Sequence, residues 1–574
     1  MKSFRELKKA GKEDVSSFPV VKMALLGNCA TQHLAIALRG YAVDEEIRLQ
    51  IFDADYNQIT AQTMDPDSEL YQYDPQYVLI QMCSEKLWEE FCELPLNQRA
   101  GWAEYMIAQI QRTWDLIETY SKARILQYDF VELDENVFGS YGEKVGVSFT
   151  YQIRKLNILL MEHAAQSKNV FLLNLSGLQN RLGRAVTFDA KFYYSAKLPI
   201  SFHALPEVAK LAVDMLQALR GRIKKCVVLD LDNTLWGGVI GDDGMAGIQV
   251  GELGAGHAFS NLQLWLRELK NRGIILAVCS KNNEDTAKEP FLKHPEMVLR
   301  MEDISMFVAN WDNKASNIRY IQQTLNLGMD SFVFLDDNPF ERNMVRSLIP
   351  DIIVPELPED PAEYLEYLQG LNLFETASYS EADSDRTRQY QEEVGRATLQ
   401  KQFESIDDYL ISLEMKALVK PFDEFHYPRI AQLTQRSNQF NLRTVRYTED
   451  DICRIAHDDK YITLYFTLRD RFGDHGLISV VIMGKKGEEL FVDTWLMSCR
   501  VLKRGMEEFI VNSMLQTAKE NGFRTVIGEY LKTPKNAMVA DIYEKLGFER
   551  LSDSLFRADV ERFTANKTYI VKED

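Results

Sequence analysis

Two aspartates, Asp230 and Asp232, close the apolar run CVVLDLDNT, and two more, Asp336 and Asp337, close SFVFLDDN. A carboxylate placed in apolar surroundings is costly, and neighbouring carboxylates raise each other's pKa. A divalent cation held between two strand ends offsets that cost. In an extended tail Asp230 and Asp232 point the same way, with Leu231 on the other face. Mg²⁺ takes oxygen ligands, commonly one or two carboxylates together with substrate phosphate and water. Ser280, which ends GIILAVCS, is placed to hold a phosphoryl oxygen. Lys314, in NWDNKASNI at an expected helix start, is placed to neutralise developing charge. With metal on one side, one aspartate is free to attack phosphorus and another to give or take a proton.

Residues 230 and 336 meet only if distant strands pair, and parallel strands of one sheet would do this, with the site at their C-terminal ends. The middle of the chain supplies such a series: KKCVVLD, GIILAVCS (273–280), SFVFLDD (331–337) and IIVPEL (352–357), with helix-like stretches between them. Earlier, 21–27, 77–82, 124–128 and 169–175 are short apolar strand candidates separated by amphipathic stretches, which predicts a parallel sheet covered by helices. After PELPEDPAEY and the acidic EADSDRTRQY (381–390), longer alternating strands begin, as in YITLYFTLRD and EELFVDTWLM. The pattern predicts three domains, 1–220, 221–378 and 379–574: two α/β and a third α+β.

At 574 residues the chain exceeds one hydrophobic core. No stretch approaches 18 uncharged apolar residues, so no membrane span is expected, and the charged start MKSFRELKKAGKEDV lacks a signal-peptide core. Seven cysteines form no CxxC, which favours a reducing cytoplasm and argues against structural zinc. A net charge of −19, with no basic cluster interleaved with aromatics, makes nucleic acid a poor partner.

DLDNT at 230–234, Ser280, Lys314 and LDDN at 335–338 resemble the four motifs of haloacid dehalogenase (HAD) phosphatases. The resemblance implies Asp230 as nucleophile, Asp232 as general acid/base, Ser280 and Lys314 as phosphate clamps, and Mg²⁺ on Asp230, Asp336, Asp337 and the carbonyl of Asp232. Flanking residues, DLDNTLWGGVIGDDG, SKNNE and FLDDNPFERNMV, are similar to the FkbH-like branch (phosphatase subfamily IIIC). That likeness implies loading of a glyceryl unit from a phosphorylated three-carbon donor onto the thiol of an acyl carrier protein. The alternative is a plain phosphomonoesterase with accessory binding domains. Residues 234–259 leave room only for a hairpin-like minimal cap, and Trp236 either walls the pocket or packs.

In the third segment, the turn at Arg504-Gly505 and the closing YEKLGF resemble GNAT acyltransferases, which implies a phosphopantetheine arm near Arg500, Arg504, Gly505, Asn536 and Tyr543. A helix start suits such a phosphate. Met506 and Glu507 stand where that family's turn has a second small residue. Cys499 near Arg500 and Lys503, with His475 as base, is a candidate thiol nucleophile, against the plainer reading of a buried cysteine. The first segment resembles SGNH hydrolases (a flavodoxin/SGNH-like α/β domain) with Asp189 and His203 near its end. Asn28 and Cys29 occupy the place of the serine, so either Cys29 is a nucleophile or the domain binds without catalysing.

Overall fold

The computed structural model describes residues 2–379, 385–400 and 402–573. Residues 381–384 of the acidic connection lie outside the described residues. Two compact units are formed, Met1–Gln217 and Ala218–Asp574. No helix among the described residues is long and apolar enough to cross a membrane.

The first unit is built on a five-stranded parallel sheet: β1 (Val20–Gly27), β2 (Arg48–Asp53), β3 (Tyr77–Gln81), β4 (Arg124–Tyr128) and β5 (Val170–Leu173), in the order β2-β1-β3-β4-β5. β3 and β4 are buried along their full length, as strands covered on both faces require. β2 is the strand that the apolar runs did not mark. Its arginine and glutamine break the apolar run, because it lies at the sheet edge.

The second unit holds two sheets. The first is four-stranded and parallel, β8-β7-β6-β9, from β6 (Cys226–Leu229), β7 (Ile275–Ser280), β8 (Met306–Ala309) and β9 (Phe332–Leu335). The expected strand at 352–357 is corrected: that stretch makes one isolated bridge, Val333 to Ile353, and Met306–Ala309 takes the fourth place. Pro355 and Pro358 lack the N–H a ladder needs, which ends the pairing there. Residues 234–253 form the small excursion expected between the motifs, but where a hairpin was expected they carry a short helical segment, kinked at Gly244. Gly237 and Gln249 exchange backbone hydrogen bonds at 2.9 and 2.8 Å, closing a neck around the short helix Ile240–Gly247.

The second sheet is mixed and eight-stranded, running β15-β16-β14-β13-β12-β11-β10-β17. Its members are β10 (Lys416–Lys420), β11 (Tyr461–Asp470), β12 (Gly473–Lys486), β13 (Glu489–Met497), β14 (Thr525–Glu529), β15 (Glu549–Arg550), β16 (Leu555–Asp559) and β17 (Val571–Glu573). β10 to β13 form an antiparallel meander, and β14 returns parallel to β13 after the helix Met506–Glu520. The helix Arg386–Gln400 ties the two sheets into one body. Its Tyr390 joins the apolar core of the four-stranded sheet, while its Arg396 is ion-paired with Asp470 at the end of β11.

Candidate active site at the ends of the parallel strands

β6 and β9 pair in register, Leu229 opposite Leu335, so the next residues, Asp230 and Asp336, emerge side by side. Carboxylate oxygens of Asp230, Asp336 and Asp337 lie within 4.8 Å of one another, the first two buried. Lys314, the first residue of the helix Lys314–Leu325, sends its buried Nζ between them, 2.9 Å from Asp230 Oδ1 and 2.6 Å from Asp336 Oδ2. Burial alone would lower the Lys314 ammonium, and the Asp230 and Asp336 charges more than reverse this, so it stays charged. Burial, together with the Asp230 charge, pushes Asp336 up to about 6 and raises Asp337. Three oxygen donors with no His or Cys among them, carrying more negative charge than one lysine cancels, fit a hard divalent cation such as Mg²⁺. Such an ion supplies charge neutralisation at a phosphoryl group when bound.

The loop after β9 is fixed from both sides. Thr234 Oγ1 accepts the Asp337 N–H at 3.1 Å. Arg342 Nη1 donates to the carbonyls of Asp336 and Asp337 at 2.9 and 2.5 Å. Ser280 lies buried at the C-terminal end of β7, next in the sheet to β6.

Asp232 sits apart from the carboxylate cluster, in a cradle of donors. Its Oδ1 accepts from Trp236 Nε1 and from the Ile240 N–H, both at 3.0 Å, and its Oδ2 accepts from Asn282 Nδ2 at 3.1 Å. Burial raises its pKa, and the bonds from Ile240 and Trp236 restrain the rise. Asn282, inside the SKNNE motif, and the indole N–H of Trp236 hold the Asp232 carboxylate, contacts that sequence reasoning did not single out. The only signal in the sequence was their adjacency to motif residues. Trp236 is fully buried, so it packs, and it also holds Asp232. Trp236→Phe keeps most of the packing and removes that N–H. The expected result is a fall of about tenfold in phosphate release with little change in thermal midpoint, measured by steady-state assay and calorimetry.

The other expected site residues are distributed differently. Arg504 does not reach outward: it is buried, ion-paired with Glu393, and its Nη1 lies 3.4 Å from His475 Nε2. His475 is buried against Asp470 at 3.2 Å and Glu393 at 3.7 Å, and burial lowers its pKa, so it belongs to an internal network. None of the described contacts joins His475 to Cys499, so the expected thiol–base pair is not assembled. Gly505 takes the left-handed conformation at φ 80° as N-cap of the helix Met506–Glu520. At that helix start Glu507 is buried and its carboxylate accepts the Lys503 N–H at 3.0 Å. An internal carboxylate therefore stands where a phosphate was expected. Asn536 is buried and spends its amide on the carbonyls of Asn441 and Leu531 and on the Thr533 N–H. Tyr543 packs in the core against Trp495, Phe548 and Phe556. Both pin the fold rather than line a groove. Arg500 and Cys499 line a separate cavity.

In the first unit Cys29 is buried with Cys83 and Tyr193. A hydrogen bond with Cys83, and then burial, raise its pKa well above the thiol range, which favours the thiol over the thiolate. Asp189 caps the helix Ala190–Ala196 and His203 is exposed. A cavity of about 320 Å³, lined by Asn28, Asn57, Tyr105 and Gln127 among others, lies beyond the C-terminal ends of β1, β3 and β4.

Residues 22–217 match the FkbH N-terminal domain. The crystal structure of the N-terminal part of the protein BF1531 from Bacteroides fragilis, containing a phosphatase domain complexed with Mg, is 49% identical. That match covers 66% of this chain and 100% of that one, with a TM-score of 0.64. The ribosomal-protein-S18-alanine N-acetyltransferase from Escherichia coli matches 26% of this chain and 97% of its own at 14% identity and a TM-score of 0.21. The GNAT domain of S. lividans PAT matches 25% and 89% at 19% identity and a TM-score of 0.20. At those scores neither bears on the assignment. No curated protein matches. The carboxylate–lysine cluster and the identity across the whole of the B. fragilis fragment lead to one conclusion: the chain belongs to the family of BF1531, with an FkbH N-terminal domain followed by a HAD-like phosphatase domain.

Proposed function

We propose that the protein is a Mg²⁺-dependent HAD-type phosphatase that releases phosphate from a small phosphorylated metabolite. The observation that carries this reading is the placement of Lys314 between Asp230 and Asp336, with Asp337 beside them, at the ends of two adjacent parallel strands. Asp230 attacks phosphorus, forming an Asp–O–P bond as the ester P–O bond breaks. Asp232 gives its proton to the leaving oxygen, then takes one from the water that hydrolyses the aspartyl phosphate. Lys314 and Ser280 hold phosphoryl oxygens throughout. The B. fragilis relative binds Mg, which supports the same ion here. Chelation is expected to lower phosphate release by about 10²-fold or more, with Mg²⁺ restoring it and Zn²⁺ failing to, because the donors are all oxygen. Full turnover in excess chelator would overturn the metal dependence.

A second reading, transfer of a glyceryl or similar acyl group to a carrier-protein thiol, draws support from the minimal cap. Only the short helix Ile240–Gly247 is inserted after Asp232, which leaves the site open to a large or tethered substrate. On this reading the mixed sheet is a GNAT-like acyltransferase domain and the first unit a binding domain. Incubating protein, Mg²⁺, a phosphoglyceryl donor and a phosphopantetheinylated carrier, with intact-mass detection, separates the two. A mass increase on the carrier supports transfer, and phosphate release alone supports the phosphatase.

A further inference from the structure

The cavity of about 320 Å³ in the first unit has a position that follows from the strand order. In β2-β1-β3-β4-β5 the chain steps from β1 to β2 on one side and from β3 to β4 on the other, so the winding reverses between β1 and β3. Open parallel sheets take ligands in the crevice beyond the carboxyl ends of the strands at such a reversal. Asn28 follows β1 directly, Ile80 and Met82 come from the end of β3, and Gln127 comes from β4. The helices Ile59–Met64 and Trp102–Tyr120 supply most of the remaining wall. A volume of this size is in the range of small-molecule sites.

Two buried amides of the lining are fixed in orientation and only half used. Asn28 Oδ1 accepts the Cys83 N–H at 2.8 Å, and its Nδ2 has no acceptor among the described residues. Gln127 Nε2 donates to the Tyr128 carbonyl at 2.9 Å, and its buried Oε1 has no donor among them. A donor and an acceptor left unmade in a desolvated place are costly, and one group that both accepts and donates meets the two. Thr63, also buried, spends its hydroxyl on the Ile59 carbonyl at 2.9 Å. Beside these amides the buried lining is apolar, with Ile80, Met106 and Ile110. The charged lining residues, Glu90 and Arg112, are both exposed, so the buried part offers no counter-ion to a carboxylate or an ammonium.

We propose that this cavity is a second ligand site, for a small uncharged organic molecule that brings an amide or hydroxyl group to Asn28 and Gln127 and packs an aliphatic body on Ile80, Met106 and Ile110. The site is independent of the phosphatase reading, since none of its lining residues belongs to the carboxylate cluster.

Met82 and Met106 line the cavity and serve as local reporters. The full-length protein is labelled with methyl-13C methionine, and Met82→Leu and Met106→Leu assign the two methyl signals. Hexanamide, 1-hexanol, hexanoate and hexylammonium, which share one aliphatic body and differ in the head group, are titrated at equal ionic strength. Hexanamide or hexanol is expected to shift the Met82 and Met106 signals saturably, with an affinity on the order of tenfold above that of either ion. Saturation by hexanamide assigns an amide, and saturation by hexanol alone a hydroxyl. Gln127→Leu keeps the volume and removes the acceptor, and it should weaken the preferred neutral probe about fivefold or more. Thr60→Trp, at an exposed lining position, obstructs the entrance without touching the buried amides, and it should abolish the shifts. Signals that never move, equal responses to neutral and charged probes, or shifts that survive Thr60→Trp would each overturn the proposal.

Discussion

Asp230→Asn is expected to lower phosphate release by about 10³-fold or more while the fold survives. The amide has nearly the carboxylate's shape, so the end of β6 is undisturbed. It cannot attack phosphorus, and it withdraws one negative charge from the Asp230, Asp336 and Asp337 cluster. Lys314 keeps its 2.6 Å partner Asp336 and is not left unpaired in the interior. Stability should therefore change little. Phosphate assays and thermal unfolding run side by side on the variant check both halves. Normal turnover would mean that another group is the nucleophile, and a large fall in the thermal midpoint would mean that the loss of activity reports unfolding.

The largest stability effect is expected at Arg396, which lies outside the carboxylate cluster. Its guanidinium is buried and grips Asp470 with two bonds of 2.7 Å, while Nη1 donates to Glu393 at 3.0 Å. Arg396→Met retains the apolar bulk and leaves Asp470, whose side chain is 0% exposed, with less compensating charge. Breaking a buried pair by removing one partner costs about 3–5 kcal/mol. The helix Arg386–Gln400 would loosen from β11, and hydrogen exchange in β11 and β12 at increasing denaturant should register it. The pH dependence has a definite sign. Burial raises the Asp470 carboxyl, but the bonds from His475 and Arg396 hold it below the usual carboxylate range. A depressed carboxylate contributes stability above its unfolded pKa, and that contribution is lost as pH falls toward the folded value. Arg396→Met raises the folded pKa, so acid unfolding should begin at higher pH than in the wild type. Unchanged exchange and an unchanged acid limb would show that His475 and Arg504 suffice to hold the network.

The clustered carboxylates were legible in the residues because their placement is local to strand ends. An apolar run says where a strand stops, and the next side chain is then at the sheet's edge whatever the rest of the chain does. Asp230, Ser280 and Asp336 follow from that, and the register of β6 against β9 matches their equal four-residue apolar lengths. The same signal failed for 352–357, where apolar residues were present but prolines removed the ladder donors, and at β2, where an edge position tolerates Arg48 and Gln50.

What only the tertiary structure decided is where the polar side chains of the mixed sheet point. Arg504 and Gly505 have the residue types of a phosphate-binding turn, but the helix Arg386–Gln400, about a hundred residues earlier, brings Glu393 to Arg504 and turns the arginine inward. No local pattern encodes that contact, because charge pairing at a sequence distance of 111 depends on how two elements pack. The cradle of Asp232 is the same case at shorter range. Asn282 reaches it across 50 residues because β6 and β7 are neighbours in the sheet, and the indole of Trp236 turns back four residues as the neck between Gly237 and Gln249 closes behind it. Sequence determines which groups are available and which strand ends carry them. Packing determines which of those groups face a ligand and which are used up in holding the protein together, because a buried charge must find its partner wherever the chain has placed one.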